Sequence, residues 1–278
     1  MKAMESKHLT AIAISLLLSA ILSITAAQDQ KKSFTVSKGD MLEVSTGMGN
    51  ITIDTWDKNV VNVVVKNIIA SEISLLTMVQ NGSKVEVIFK GEDSDNIEFE
   101  ISIPSKLDLE LSTGGGNITL KNDLDGKIDA STAGGNISVK NINGNADIST
   151  AGGNIKVGDI NSNADISTAG GNIKIGFIKG GADVSSAGGN ISVDNIDGNA
   201  DISTGGGNVK VGNVSGSAEL NTGGGNISLE AATGKVEVNT GAGNINLENI
   251  KGSIEANTGA GNINAKLIPD GESVSELN

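Results

Sequence analysis

An 18-residue period constrains this chain more than any other feature. The stretch Ala146-Asp-Ile-Ser-Thr-Ala-Gly-Gly-Asn-Ile-Lys-Val-Gly-Asp-Ile-Asn-Ser-Asn163 is followed at once by Ala164-Asp-Ile-Ser-Thr-Ala-Gly-Gly-Asn172, and the pattern fills more than half of the 278 residues. A fixed period of this length specifies a solenoid, in which each repeat is a rung that is stable only when stacked on its neighbours. The Asn after the Gly-rich corner marks the register at Asn117, Asn136, Asn154, Asn172, Asn190, Asn208, Asn226, Asn244 and Asn262. Every step is 18 residues except the first, which carries one extra near Asp123 and Leu124.

Within a rung the columns have sides. Ala146 and Ile148, then Ile155 and Val157, alternate with polar residues, the period-2 pattern of half-buried strands. Ile160 represents a third, short face. The expected fold is all-β, a parallel β-solenoid (β-helix) of 18-residue rungs with an irregular β insertion near the N-terminus. Nine rungs at about 4.8 Å span residues 109–268, roughly 43 Å. An earlier rung begins at Leu42, and residues 60–108 interrupt the repeat with strands at 60–65, 85–89 and 97–103. Residues 69–79 read equally well as a short helix or a strand. Trp56, the single Trp, falls in the third inward column of the first rung and is expected to cap the core. The organisation is then residues 1–27 as a signal peptide, 28–108 as cap, first rung and insertion, 109–268 as the continuous array, and 269–278 as a tail.

The N-terminus has the layout of an export signal: Lys2 and Lys7, an apolar run over residues 9–24, and Thr25-Ala26-Ala27 for cleavage. Cleavage there leaves no second membrane-spanning segment and a net charge of −14, which repels nucleic acid. The chain has no Cys, Tyr or Arg, and its one His, His8, lies in the signal. Disulfides, thiolate metal sites and nucleophiles activated by His are excluded. A carboxylate pair can hydrolyse glycosides, so a carbohydrate-active enzyme stands as a third reading. The carboxylates form uniform columns, however, whereas an active site should be unique.

Two columns carry candidate chemistry. The Asn column reads as a structural ladder, in which each amide bonds the Asn above and below at a left-handed corner. The Thr column, Thr113 to Thr258, reads as a companion hydroxyl ladder. The second position of every rung is acidic: Glu43, Glu110, Asp129, Asp147, Asp165, Asp183, Asp201, Glu219, Glu237 and Glu255. Stacked like charges repel, so this column is a cost unless it confers solubility or binds a cation. Asp147, Asp165, Asp183 and Asp201 are the candidate ligands for Ca²⁺, the one cofactor considered. The Gly-Gly-x-Gly-x-Asp rule of calcium-binding β-rolls is not met.

The opening Leu42-Glu-Val-Ser-Thr-Gly-Met-Gly-Asn-Ile-Thr-Ile, the array start Phe99-Glu-Ile-Ser-Ile-Pro-Ser-Lys-Leu-Asp-Leu-Glu-Leu, and the recurring Ser-Thr-x-Gly-Gly-Asn-Ile resemble a family of bacterial cell-envelope proteins of unknown function labelled "putative adhesins". That family carries Asp or Asn after the Gly; here it is always Asn. The resemblance implies an exported, non-catalytic β-solenoid, periplasmic or at the cell surface, acting as a structural or adhesin-like module. Its partners would be a cell-surface glycan, an envelope protein or a second copy. The alternative is a surface protein that binds divalent cations through the acidic column.

Overall fold

A computed structural model of the chain describes residues 27–91 and 96–268. The expected signal peptide and the tail lie outside the described residues. The described residues form β1 (Ala27–Thr35), β2 (Met41–Thr46), β3 (Asn50–Trp56), β4 (Val60–Ile69), a 3₁₀ turn (Ala70–Leu75), β5 (Leu76–Asn81), β6 (Lys84–Phe89), β7 (Glu98–Pro104), β8 (Asp108–Thr113) and β9 (Ile118–Leu120). Sixteen further strands follow, from β10 (Ile128–Thr132) to β24 (Ile254–Thr258) and β25 (Ile263–Leu267). Two large sheets result, one of 13 strands and one of 12, and each rung contributes one strand to each. Among the described residues no helix is long and apolar enough to cross a membrane.

The stack pairs each residue with its own copy. Ala146 lies beside Ala164, Asp147 beside Asp165, and Ile155 beside Ile173. The first step pairs Leu109 with Ile128, so the extra residue is absorbed in the loop after β9 without disturbing register. Alternation within each strand buries Ile148, Ile155 and Val157 to 3% exposure or less, and Ile160 of the third face is fully buried. Leu124, Ile142, Ile160 and Ile178 continue that third column by parallel bridges. The core is a thin stack of aliphatic side chains, each held between copies of itself.

Residues 60–108 do more than interrupt the repeat. Strands β6 and β7 form a rung of their own. β2 pairs in parallel with β6 on one side and β8 on the other, and β3 lies likewise between β7 and β9. Stacking order therefore departs from chain order: the chain leaves the first rung, builds the terminal one, then crosses back to start the array. Eleven rungs stack in all, ten steps of about 4.8 Å, or roughly 48 Å. Antiparallel strands close this end, with β1 and β4 on one sheet and β5 on the other. The ambiguous residues 69–79 divide between the 3₁₀ turn and β5. Phe34, Phe89 and Phe99 are buried in this cap, the latter two with ring centroids 6.3 Å apart. In the array the buried hydrophobic columns are aliphatic, and its Phe177 is half-buried beside Asn195.

Candidate functional site

The Gly-rich corner is held by two hydrogen-bonding columns. The Thr150 hydroxyl donates to the Gly135 carbonyl of the preceding rung (2.9 Å) and accepts from the Gly153 N–H of its own corner (3.2 Å). The Thr column is thus a series of hydroxyl-to-backbone ties, not the hydroxyl ladder expected. Ser186 makes the same two bonds. Gly153 allows this approach because a Cβ there would lie 1.8 Å from the Gly135 oxygen.

The Asn column runs alongside. Asn136 Oδ1 accepts from the Asn154 main-chain N–H (2.8 Å) and from its Nδ2 (3.2 Å). The main-chain bond recurs from Asn50 through Asn117, Asn136, Asn154, Asn172, Asn190, Asn208, Asn226 and Asn244 to Asn262. The geometry differs from expectation in two respects. These side chains are exposed along an edge of the rod, and the positive-φ Asn residues are Asn67, Asn96 and Asn249, none of them in the column. Further Asx ties escaped the sequence reading. Asn163 Oδ1 accepts from Gly181 N–H (2.8 Å), Asn199 Oδ1 from Ser217 N–H (3.0 Å) and Asn195 Oδ1 from Asn213 N–H (3.0 Å). The signal was present as Asn recurring at two phases of the period, Asn163 and Asn199 at one and Asn195 and Asn213 at the other, but it reads as turn composition.

The acidic column faces solvent along one sheet, and parallel pairing sets Asp129, Asp147, Asp165, Asp183 and Asp201 side by side. Partial burial, and then the neighbouring carboxylates Asp129 and Asp165, raise the Asp147 pKa above its ordinary value. Asp201 is raised likewise, by burial and then by Glu219 and Asp183. Lysines relieve only the ends. Lys84 meets Glu43 at 2.7 Å and Glu110 at 3.9 Å, and Lys235 meets Glu237 at 3.0 Å and Glu255 at 3.9 Å. Among the described residues no ion pair reaches the stretch from Asp129 to Glu219. Nor do three or more His, Cys, Asp or Glu side chains there converge to hold a metal ion.

Beside this column lies a groove along the rod. Two recesses of about 600 and 340 Å³ share Asn163 and Ala164, so they form one continuous channel. Its floor is the run Ala146, Ala164, Ala182, Ala200 and Ala218, where larger residues occupy the same column at Leu109, Ile128 and Val236. The acids form one wall, and the corner residues Asn163, Gly181 and Asn199 the other. The alanine run is visible in the sequence but reads there only as small core residues.

Trp56 does not enter the core. β3 continues straight past the corner position, pairing Trp56 with Pro104, and the indole stays half-buried. Its Nε1 donates to the Val60 carbonyl (2.8 Å), and the Lys58 ammonium lies 4.7 Å from the ring centroid. A recess of about 300 Å³ beside it is lined by Trp56, Pro104, Lys38 and Lys106.

Several solved structures align with most of the chain at low identity. A putative adhesin from Parabacteroides distasonis ATCC 8503 is 16% identical, aligned over 86% of this chain and 96% of its own, with a TM-score of 0.43. A putative adhesin from Parabacteroides merdae ATCC 43184 is 14% identical over 87% and 97%, with a TM-score of 0.41. A putative lipid binding protein from P. distasonis ATCC 8503 is 16% identical over 86% and 96%, with a TM-score of 0.40. No curated protein matches the chain. Residues 183–275, the C-terminal part of the array, match the model of the Toastrack DUF4097 family, in agreement with the resemblance carried by the repeat.

Proposed function

We propose that the chain is an exported, non-catalytic interaction module of the cell envelope that holds an extended partner along its groove. The supporting observation is the repetition along that groove. The acidic column walls both recesses, and the floor is alanine at Ala146, Ala164, Ala182, Ala200 and Ala218 before it gives way to Ile128 and Leu109 at one end, a surface that suits a polymer and offers no singular point for chemistry. An envelope polysaccharide or an extended peptide of an envelope protein has the required shape. The test is a glycan and peptide array probed with the mature chain and with Gly181→Trp. A Cβ at Gly181 meets nothing closer than 3.7 Å, so the indole would fill the groove without disturbing the rung. Specific binding that Gly181→Trp abolishes supports the reading. Binding that Gly181→Trp leaves unchanged overturns it.

A second reading has its own observation. Parallel pairing stacks Asp147, Asp165, Asp183 and Asp201 side by side, and no lysine pairs with them among the described residues, so their mutual repulsion is unrelieved. Ca²⁺ bridging adjacent carboxylates of Asp147, Asp165, Asp183 and Asp201 would relieve it. Millimolar Ca²⁺ should then raise the melting temperature beyond a NaCl control of equal ionic strength, and the four Asp→Asn changes should remove the difference. Equal shifts in the two salts would leave the column as a solubilising surface only.

A further inference from the structure

The two ends of the rod are finished differently. At the N-terminal end antiparallel strands cover both sheets. At the other end, among the described residues, β24 pairs only with its neighbour toward the array, at Val236 to Thr240, and β25 only with the strand at Ile245 to Ile250. Their outer edges present rows of main-chain N–H and C=O groups, a template for another strand. The core opens at the same place. Ile254, Ala256, Ala265 and Leu267 are half-buried, whereas their counterparts one rung earlier, Val236, Val238, Leu247 and Ile250, are fully buried. Two of the three exposed large hydrophobic side chains among the described residues, Ile263 at 46% and Ile268 at 37%, belong to this end.

We propose that a second copy of the chain closes this end, tail to tail, about a two-fold axis parallel to the strands and midway between the sheets. β24 and β25 run in opposite directions from the corner at 259–262, which Thr258 and Ile263 flank, and β25 keeps the array's register through Ala265 before an irregularity sets Leu267 beside Ile250. Rotation about that axis moves each strand to the opposite sheet and keeps its position along the strand direction. It therefore lays β24 antiparallel to the partner's β25, in register. Ile254 meets the partner's Leu267, Glu255 the partner's Lys266, Ala256 the partner's Ala265, Asn257 the partner's Asn264, and Thr258 the partner's Ile263. Core positions meet core positions, and outward positions meet outward ones.

Charge favours this axis over the other one available. Glu255 and Lys266 are the only charged residues on the two strands, and symmetry brings them together twice. A two-fold axis normal to the sheets through Ala256 and Ala265 would instead oppose Glu255 to Asn257 and Lys266 to Asn264, giving neither charge a counter-charge across the seam, and Glu255 would keep only Lys235 of its own chain at 3.9 Å. The chosen arrangement adds on the order of ten main-chain hydrogen bonds, the number found in specific interfaces, and joins two thin cores into one. Both outer ends of the resulting rod then carry the antiparallel cap.

The test is sedimentation velocity on the full chain at about 1–100 μM, with Glu255→Lys, Lys266→Glu and the double swap. Both side chains are exposed, so the variants should keep the parent circular dichroism. The expected result is a dimer that each single swap weakens by about tenfold or more, through two like-charge contacts, and that the double swap restores to within about threefold. A monomer throughout the range would overturn the proposal, as would a dimer indifferent to either single swap or one that the double swap fails to restore. Dimerisation only after deletion of residues 269–278 would also overturn it, since it would show that the chain covers its own edge.

Discussion

The corner glycine offers the sharpest test of the stacking geometry. A Cβ on Gly153 would lie 1.8 Å from the Gly135 oxygen, 2.4 Å from its carbonyl carbon and 2.9 Å from the Asn136 Cα. All three atoms are backbone, so no rotamer change relieves the clash and the rungs must part. Parting them strains three hydrogen bonds between rungs: Thr150 to Gly135 and the two from Asn154 to Asn136. At a net ~0.5–1.5 kcal/mol each these amount to about 1.5–4.5 kcal/mol. Forced overpacking adds about 1–3 kcal/mol. Gly153→Ala is therefore expected to cost about 3 kcal/mol or more. One residue earlier, a Cβ on Gly152 has nothing closer than 3.7 Å. Gly152→Ala should be neutral, or stabilising by up to about 1 kcal/mol through loss of unfolded-state freedom. The repeat shows the same preference: Ala occurs at the first corner position in Ala151 and at the second in Ala242, and never at the third. Parallel urea titrations followed by circular dichroism measure the difference, with the slopes compared to detect loss of cooperativity along the array. Two variants within about 0.5 kcal/mol of each other would refute the close approach of the corners.

The acidic column should make stability depend on pH in an inverted sense. The folded pKa of Asp147 lies above its ordinary value of 3.8, so the folded state holds the proton more tightly than the unfolded one. Its favourable contribution is present below pH 3.8 and is lost as pH rises through the raised value. Two neighbours at ~4.8 Å cost about 1.7 kcal/mol in water and about 1 kcal/mol after physiological screening. Asp147→Asn should therefore raise the melting temperature at pH 7 and give little gain near pH ~3, below the ordinary value of 3.8; a full gain that persists near pH ~3 would exclude charge as its origin. The two Asx columns should differ in degree. Asn172 exchanges side-chain bonds with both neighbouring rungs and accepts the Asn190 N–H, whereas the Asn163 side chain accepts only from Gly181 N–H, its main-chain N–H donating to Asn145 Oδ1 at a long 3.4 Å. Asn172→Ala should cost about 1–2 kcal/mol and Asn163→Ala about 0.5–1 kcal/mol in thermal melts, because water replaces part of each exposed bond.

The array was legible because a parallel stack turns spatial contact into sequence period. Ile148 touches Ile166 for the reason that it resembles it, and one row of 18 letters states the contact map. Residues 60–108 lack that redundancy. Nothing local in the segment Val-Glu-Val at 85–87 says that it pairs beside Leu42-Glu-Val44, or that the chain will later cross over that rung to resume at Leu109. Trp56 was misplaced for a related reason. The period assigns it to the third face, but pairing with β7 extends β3 through the corner and keeps the indole at the surface. The groove needed three dimensions as well, since five alanines in one column make a channel only once the neighbouring corner and the acids rise on either side.

Self-pairing also limits what each column can hold. A residue that is its own neighbour must both give and accept whatever it uses. Asn does so, with Oδ1 taking two donors from the next rung and Nδ2 supplying one of them. Thr solves the problem differently, by reaching the backbone and leaving its copies alone. An ionised carboxylate can do neither: it accepts only, and its copy above and below repels it. A corner built on Asp in place of Asn would lose the donor that closes the ladder and gain a charge at every step. The acids stand instead at the next outward column, where solvent screens them, yet even there burial and repulsion raise Asp147 and Asp201. Solubility alone would be served by acids scattered among the outward positions, without that cost. They are aligned instead in every rung, whatever residue precedes them, and along the alanine rungs they form one wall of the groove.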